Sequence, residues 1–167
     1  PAQFEAAMAK FNELGCTSLI IDLRSDGGGY VDVMQHIAGC FESCRDGSLA
    51  MEARYRDGSK ESYPVYGAGE SAVVDADTDI YVLANSGTAS ASEALIGCLV
   101  SYGVLDLGDI YISEYSQSYL DSVGLTAEQA KSGRTYGKGI MQTSFYNPAT
   151  GEALNLTTAQ IYWPDGT

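Results

Sequence analysis

Twice in this chain a short apolar run ends in a turn of small residues and opens into a helical pattern, and this order constrains the fold more than any other feature. The first instance is Ser18-Leu19-Ile20-Ile21-Asp22-Leu23, stopped by Gly27-Gly28-Gly29 and followed by Val31, Val33, Met34, Ile37, Ala38 and Phe41 at helical spacing. The second is Ile80-Tyr81-Val82-Leu83-Ala84, which runs into a serine-rich turn and a helix predicted over 90–102. Strands that alternate with helices build an α/β core. Ahead of the first strand, Phe4, Ala7, Met8, Phe11 and Leu14 predict an amphipathic helix over 2–14 that closes at Gly15, and a buried strand is expected next. Residues 48–66 alternate around Asp57-Gly58 and predict a hairpin. A strand over 104–112 precedes a polar segment, 113–135, with a short helix starting near Thr126. Strands over 139–146 and 153–163, joined by the turn Asn147-Pro148-Ala149-Thr150-Gly151, give the chain an antiparallel ending.

At 167 residues and 45% hydrophobic content, residues 1–167 suit one globular domain. Nine basic side chains stand against 22 acidic ones, a formal charge of −13 that repels phosphate backbones and anionic headgroups, so nucleic acid and membrane surfaces are excluded as partners. No apolar run approaches the roughly 20 residues of a spanning helix, so no membrane insertion by this chain is expected. Pro1 opens directly on an amphipathic segment, which suggests a fragment of a longer protein whose upstream signal has been removed. Cys16, Cys40, Cys44 and Cys98 lack zinc or redox spacing. Cys40 and Cys44 fall on one helical face, and the four read as buried free thiols unless Cys16 or Cys98 bridges to one of that pair. No cofactor or metal is called for, and homo-oligomerisation is left open. Among the 12 tyrosines, several in 111–119 could face a partner or substrate, although half-buried strand positions explain them equally.

The chemistry-bearing stretch is Asn85-Ser86-Gly87-Thr88-Ala89-Ser90-Ala91-Ser92-Glu93, read with Tyr136-Gly137-Lys138-Gly139 and Gln142. A hydroxyl needs a base to become nucleophilic, and a lysine serves if burial holds it neutral. Ser90 and Glu93 also fit a helix capping box, a purely local reason for the same pattern. Both roles use one place, because the free N–H groups at a helix head favour an anionic tetrahedral intermediate. Ser86, Thr88 and Ser92 are rival hydroxyls. The glycine turn at 27–29 offers unobstructed N–H groups for an oxyanion hole or simply a tight connection. Lys138 reads as a surface lysine or, if buried, as the base. The single histidine, His36, lies within a predicted helix and reads as structural. Gly133 to Gly139 imitates a phosphate loop but is one residue short and lacks the terminal Ser or Thr; Asp75 to Ile80 imitates a calcium loop without its turn glycine. Asn155-Leu156-Thr157 is a glycosylation sequon inside a predicted strand.

Together, Leu19 through Gly29, Ser86 through Glu93, Tyr136 through Gln142 and Leu154 through Gly166 resemble the carboxyl-terminal processing peptidases, also called tail-specific proteases. The resemblance spans nearly the whole chain apart from 113–134, which reads as an insertion that could cap the cleft. It implies a crotonase-like (ClpP/crotonase) α/β core of repeated strand-helix units with an antiparallel C-terminal strand pair. It further implies Ser90 as nucleophile, Lys138 as general base, Gln142 orienting that base, and an oxyanion hole from the N–H groups of Ala91 and of Gly28 or Gly29. On a strand, the Lys138/Gln142 spacing requires a bend or bulge. The implied activity is serine endopeptidase cleavage of protein or peptide substrates through an acyl-enzyme, outside the cytoplasm: secreted, periplasmic or at the cell surface. The chain departs from the pattern in its long Ser90 to Lys138 separation and in Ser101-Tyr102-Gly103, where relatives carry an acidic residue. It shows no PDZ domain for substrate capture. Alternatives are a non-catalytic binding module resembling the interphotoreceptor retinoid-binding repeats, which would need a continuous apolar cavity, and a crotonase-type acyl-CoA enzyme.

Overall fold

The computed structural model describes residues 1–45 and 48–167. In chain order come α1 (Ala2–Glu13), β1 (Ser18–Asp22), α2 (Val31–Ala38), the hairpin strands β2 (Leu49–Tyr55) and β3 (Lys60–Pro64), and β4 (Asp79–Ala84). They are followed by α3 (Ala91–Ser101), β5 (Ile110–Ile112), α4 (Gln117–Val123), β6 (Ile140–Tyr146) and β7 (Ala153–Tyr162). The architecture is mixed α/β. β1, β4 and β5 form a parallel sheet in that order, and β3-β2-β7-β6 form an antiparallel one. α3 belongs to one hydrophobic cluster with both sheets, and Ala94 through Leu99 are all buried, the pattern of a helix covered on every side. Its N-terminus therefore emerges where the two sheets approach, at the end of β4.

The two strand-turn-helix units form as expected, with differences that have local causes. The first strand is buried on one side only: Ile21 is 8% exposed and Ile20 63%, because neighbouring strand residues point to opposite faces. α2 stops at Ala38 rather than reaching Phe41, since Gly39 passes so close to the Tyr66 carbonyl that a Cβ would sit 1.6 Å from its oxygen. Cys40 and Cys44 consequently share no helix; Cys44 lies in a 3-10 turn at 42–44. The strand predicted over 104–112 is only β5, because Leu105 turns into the core and residues 107–109 make a 3-10 turn. In the polar segment the helix is α4, capped by Ser116 Oγ accepting the Tyr119 N–H. Thr126 starts only hydrogen-bonded turns.

Candidate active site

The turn after β4 is tied to the turn after β1 side chain by side chain. Asn85 Oδ1 accepts the Ser25 N–H (2.8 Å) and the Gly87 N–H (2.9 Å). Thr88 is fully buried, and its hydroxyl donates to the Leu23 carbonyl (2.7 Å). The Ala89 N–H donates to the Asp26 carbonyl (2.9 Å). These bonds hold Ser90 at φ 59°, ψ −123°, a conformation that costs a non-glycine residue roughly 1–3 kcal/mol. Strain of this kind persists where surrounding structure over-determines it, and it collects at functional sites. Gly28, at φ +83°, packs directly on this elbow: a Cβ there would lie 2.6 Å from the Ala89 carbonyl oxygen, 2.7 Å from the Ala91 nitrogen and 2.9 Å from Ser90 Cβ. Only glycine combines that backbone angle with that approach.

A cavity of about 620 Å³ opens at the elbow, and Ser90, Lys138, Gln142, Gly29 and Ala91 all line it. Of the four candidate hydroxyls, only Ser90 reaches it. Ser86 Oγ pairs with the Tyr115 hydroxyl at 3.0 Å, Thr88 is a structural tie, and Ser92 is buried and lines a separate apolar recess of about 240 Å³. The Gly28 N–H is donated to Asp26 Oδ1 (2.9 Å). Among the described residues no acceptor takes the Gly29 or Ala91 N–H, so these two amides are free for a ligand. His36 lines neither recess; its ring packs 4.9 Å from that of Tyr66. No residue of 113–134 lines the larger cavity. Just after that segment the chain docks on the elbow, where the Tyr136 N–H donates to the Thr88 carbonyl at 2.9 Å.

Lys138 is half-buried in the cavity wall, less enclosed than a fully buried base, and among the described residues its ammonium forms no ion pair. The β6/β7 register shifts between Met141 and Gln142. The shift leaves Thr158 as the extra residue on β7, and Met141 and Gln142 on the facing strand both line the cavity. Glu93 joins the two halves of the site. Its Oε2 accepts the Ser90 N–H (3.0 Å) and the Lys138 N–H (2.9 Å), and its Oε1 accepts the Thr135 hydroxyl and the Gly137 N–H, both at 2.6 Å. Because one oxygen serves both amides, the backbone nitrogens of Ser90 and Lys138 lie within about 6 Å of each other.

The sequence profile of peptidase family S41 matches residues 1–107. The chain belongs to this family. It is 29% identical over 164 residues to the chloroplastic C-terminal processing peptidase of Tetradesmus obliquus, a match that covers 96% of this chain and 29% of that protein. It is 26% identical over 164 residues to a Staphylococcus aureus protein named as a CtpA-like serine protease, covering 98% of this chain and 27% of the relative. Among solved structures, the photosystem II D1 C-terminal processing protease superposes with a TM-score of 0.68 at 25% identity, over 98% of this chain and 34% of that one. The chain thus spans about a third or less of the length of these relatives. No helix among the described residues is long and apolar enough to cross a membrane.

Sequence reasoning missed the second task of Glu93. The capping-box spacing explains its bond to Ser90, but Thr135, Gly137 and Lys138 lie 42 to 45 residues away, and no local pattern announces them. It also missed Trp163, the chain's single tryptophan, whose indole rests on Gly97 and lines the cavity. All four cysteines are free, and only Cys16 is exposed. The tyrosines of 111–119 are largely solvent-facing, and Tyr115 and Tyr119 stack at 5.0 Å between ring centroids.

Proposed function

We propose that this chain is the crotonase-like core of a serine endopeptidase that cleaves protein or peptide substrates through an acyl-enzyme and works outside the cytoplasm. Ser90 Oγ attacks the scissile carbonyl carbon while the Lys138 amine takes the hydroxyl proton. The free N–H groups of Gly29 and Ala91, at the positive end of α3, receive the oxyanion. Collapse of the tetrahedral adduct breaks the C–N bond, and the Lys138 ammonium returns its proton to the leaving amine. Water then attacks the ester with Lys138 again as base, which releases the acid product and restores Ser90. Gln142 orients Lys138 from β6. Bound peptide excludes water from the half-buried amine, and exclusion of water favours a neutral base.

The observation that carries this reading is the strained Ser90 elbow opening on the same cavity as Lys138, with both backbones bonded to one carboxylate oxygen. The mixed, partly polar lining of that cavity suits a peptide better than the lipophilic ligand of a binding module. The test is to incubate the protein with an unfolded protein substrate beside Ser90→Ala and Lys138→Ala. Cleavage by the unaltered chain and none by either variant is expected, and equal cleavage by all three removes the dyad.

A further inference from the structure

We propose that Glu93 is a positioning residue whose single carboxylate sets where the lysine-bearing loop sits relative to the serine turn. The proposal rests on the Ser90/Lys138 reading and adds to it the device that holds the two together. A helix cap needs only the bond to Ser90. Here the remaining acceptor capacity of the carboxylate, about four lone-pair sites in all, is taken by the Thr135 hydroxyl and by the Gly137 and Lys138 amides. These three donors belong to a stretch with little support of its own. It lies between the polar segment and β6, glycines flank Lys138, and the other ties nearby are Tyr136 N–H to the Thr88 carbonyl, Lys131 Nζ to the Tyr136 carbonyl and Ile161 N–H to the Gly139 carbonyl. Among the described residues the Gly137 and Lys138 amides have no other acceptor.

The charge matters as well as the shape. A glutamine at 93 keeps the length, but its NH2 group replaces one acceptor and then faces donors, either Gly137 and Thr135 or Ser90 and Lys138. Turned one way, the NH2 donates to the Thr135 hydroxyl but leaves the Gly137 amide without an acceptor; turned the other way, it faces the Ser90 and Lys138 amides, so in either case a loop amide is expelled and the loop shifts. A displacement of about 1 Å at a reacting group costs on the order of 100-fold in rate. Glu93 itself lines the cavity wall behind the dyad, so ground-state binding changes less than the chemical step.

The experiment compares the unaltered chain, Glu93→Gln, Thr135→Val, the double variant, Ser90→Ala and Lys138→Ala. It reads kcat and KM on one peptide, amide hydrogen exchange over 136–139, and the circular dichroism of the folded state. Glu93→Gln is expected to lower kcat by about 10- to 100-fold with KM nearly unchanged and to speed exchange at 136–139. Thr135→Val should do the same more weakly, without touching the helix cap, and the double variant should be no worse than Glu93→Gln alone. Unchanged kcat and unchanged exchange in Glu93→Gln overturn the proposal and leave Glu93 a helix cap, even if the melting temperature falls. Retained activity in Ser90→Ala or Lys138→Ala overturns the dyad instead, and the exchange measurement still decides whether Glu93 holds the loop.

Discussion

Gly97→Ala sets two principles against each other within α3. By helix propensity, alanine in place of an interior glycine should stabilise by about 1 kcal/mol. The structure predicts the opposite sign. A Cβ on Gly97 would lie 2.2 Å from Cδ2 and Cε2 of Trp163 and 2.3 Å from its Nε1, where normal carbon contacts are about 3.5–4.0 Å. The indole must therefore retreat by more than about 1 Å. It hangs from a closed turn in which the Trp163 N–H donates to the Thr167 carbonyl and the Gly166 N–H to the Trp163 carbonyl. Forcing a methyl group into such a contact costs about 1–3 kcal/mol. After the propensity gain, a net loss of up to about 2 kcal/mol is expected, at most roughly 8 °C in Tm for a chain of this size. Trp163 is the only tryptophan, so its fluorescence reports both the unfolding transition and the ring's displacement in the native state. A variant at least as stable as the parent, with unchanged emission, would refute the contact and with it the account of that cavity wall.

Four further outcomes follow from close approaches and buried thiols. Gly28→Ala should keep most of the secondary structure by circular dichroism but lower kcat/KM on the order of 10²- to 10³-fold, because the new Cβ displaces the Ala91 amide proposed for the oxyanion; unaltered kinetics would remove Ala91 from that role. Gly39→Ala, with its Cβ 1.6 Å from the Tyr66 carbonyl oxygen, should destabilise by roughly 3 kcal/mol or more in urea titration, since backbone rather than a side-chain tip must move. At pH 8 a thiol reagent should titrate Cys16 alone in the native chain and all four cysteines in denaturant; a second fast native thiol contradicts the burial of Cys40, Cys44 and Cys98. Burial, the largest cause, raises the Cys40 thiol from 9.0 to about 11, so the native state keeps a proton that the unfolded chain releases. Its contribution is complete below pH 9 and is lost as pH climbs through 11, and Cys40→Ala should flatten that decline in the urea midpoint.

Much of the architecture was legible because it is written locally. Apolar period, a glycine or serine turn and a helical repeat place β1, α2, β4 and α3 within a few residues of their observed bounds, and Asp57-Gly58 and 147–151 mark both hairpins. Legibility fails where a distant contact overrides the local pattern. Gly39 must clear the Tyr66 backbone, so α2 ends early; Leu105 enters the core, so the strand expected from 104 shrinks to β5. The sequence predicts a short helix from near Thr126, but that residue starts only turns and the helix of the segment is Gln117–Val123.

The same division runs through the site. Sequence alone determined the strand-turn-helix units and the acidic charge, because backbone angles and side-chain period are set by neighbouring residues, and its resemblance to a family implied Ser90, Lys138 and Gln142 as candidates. Only tertiary structure decided which of four hydroxyls faces the cavity, which amides of the glycine turn and helix head stay free, and that Glu93 binds the backbone of both Ser90 and Lys138. Those facts depend on bringing together segments more than 40 residues apart. Closing such a distance is the work of core packing against chain entropy, which no short stretch of sequence records.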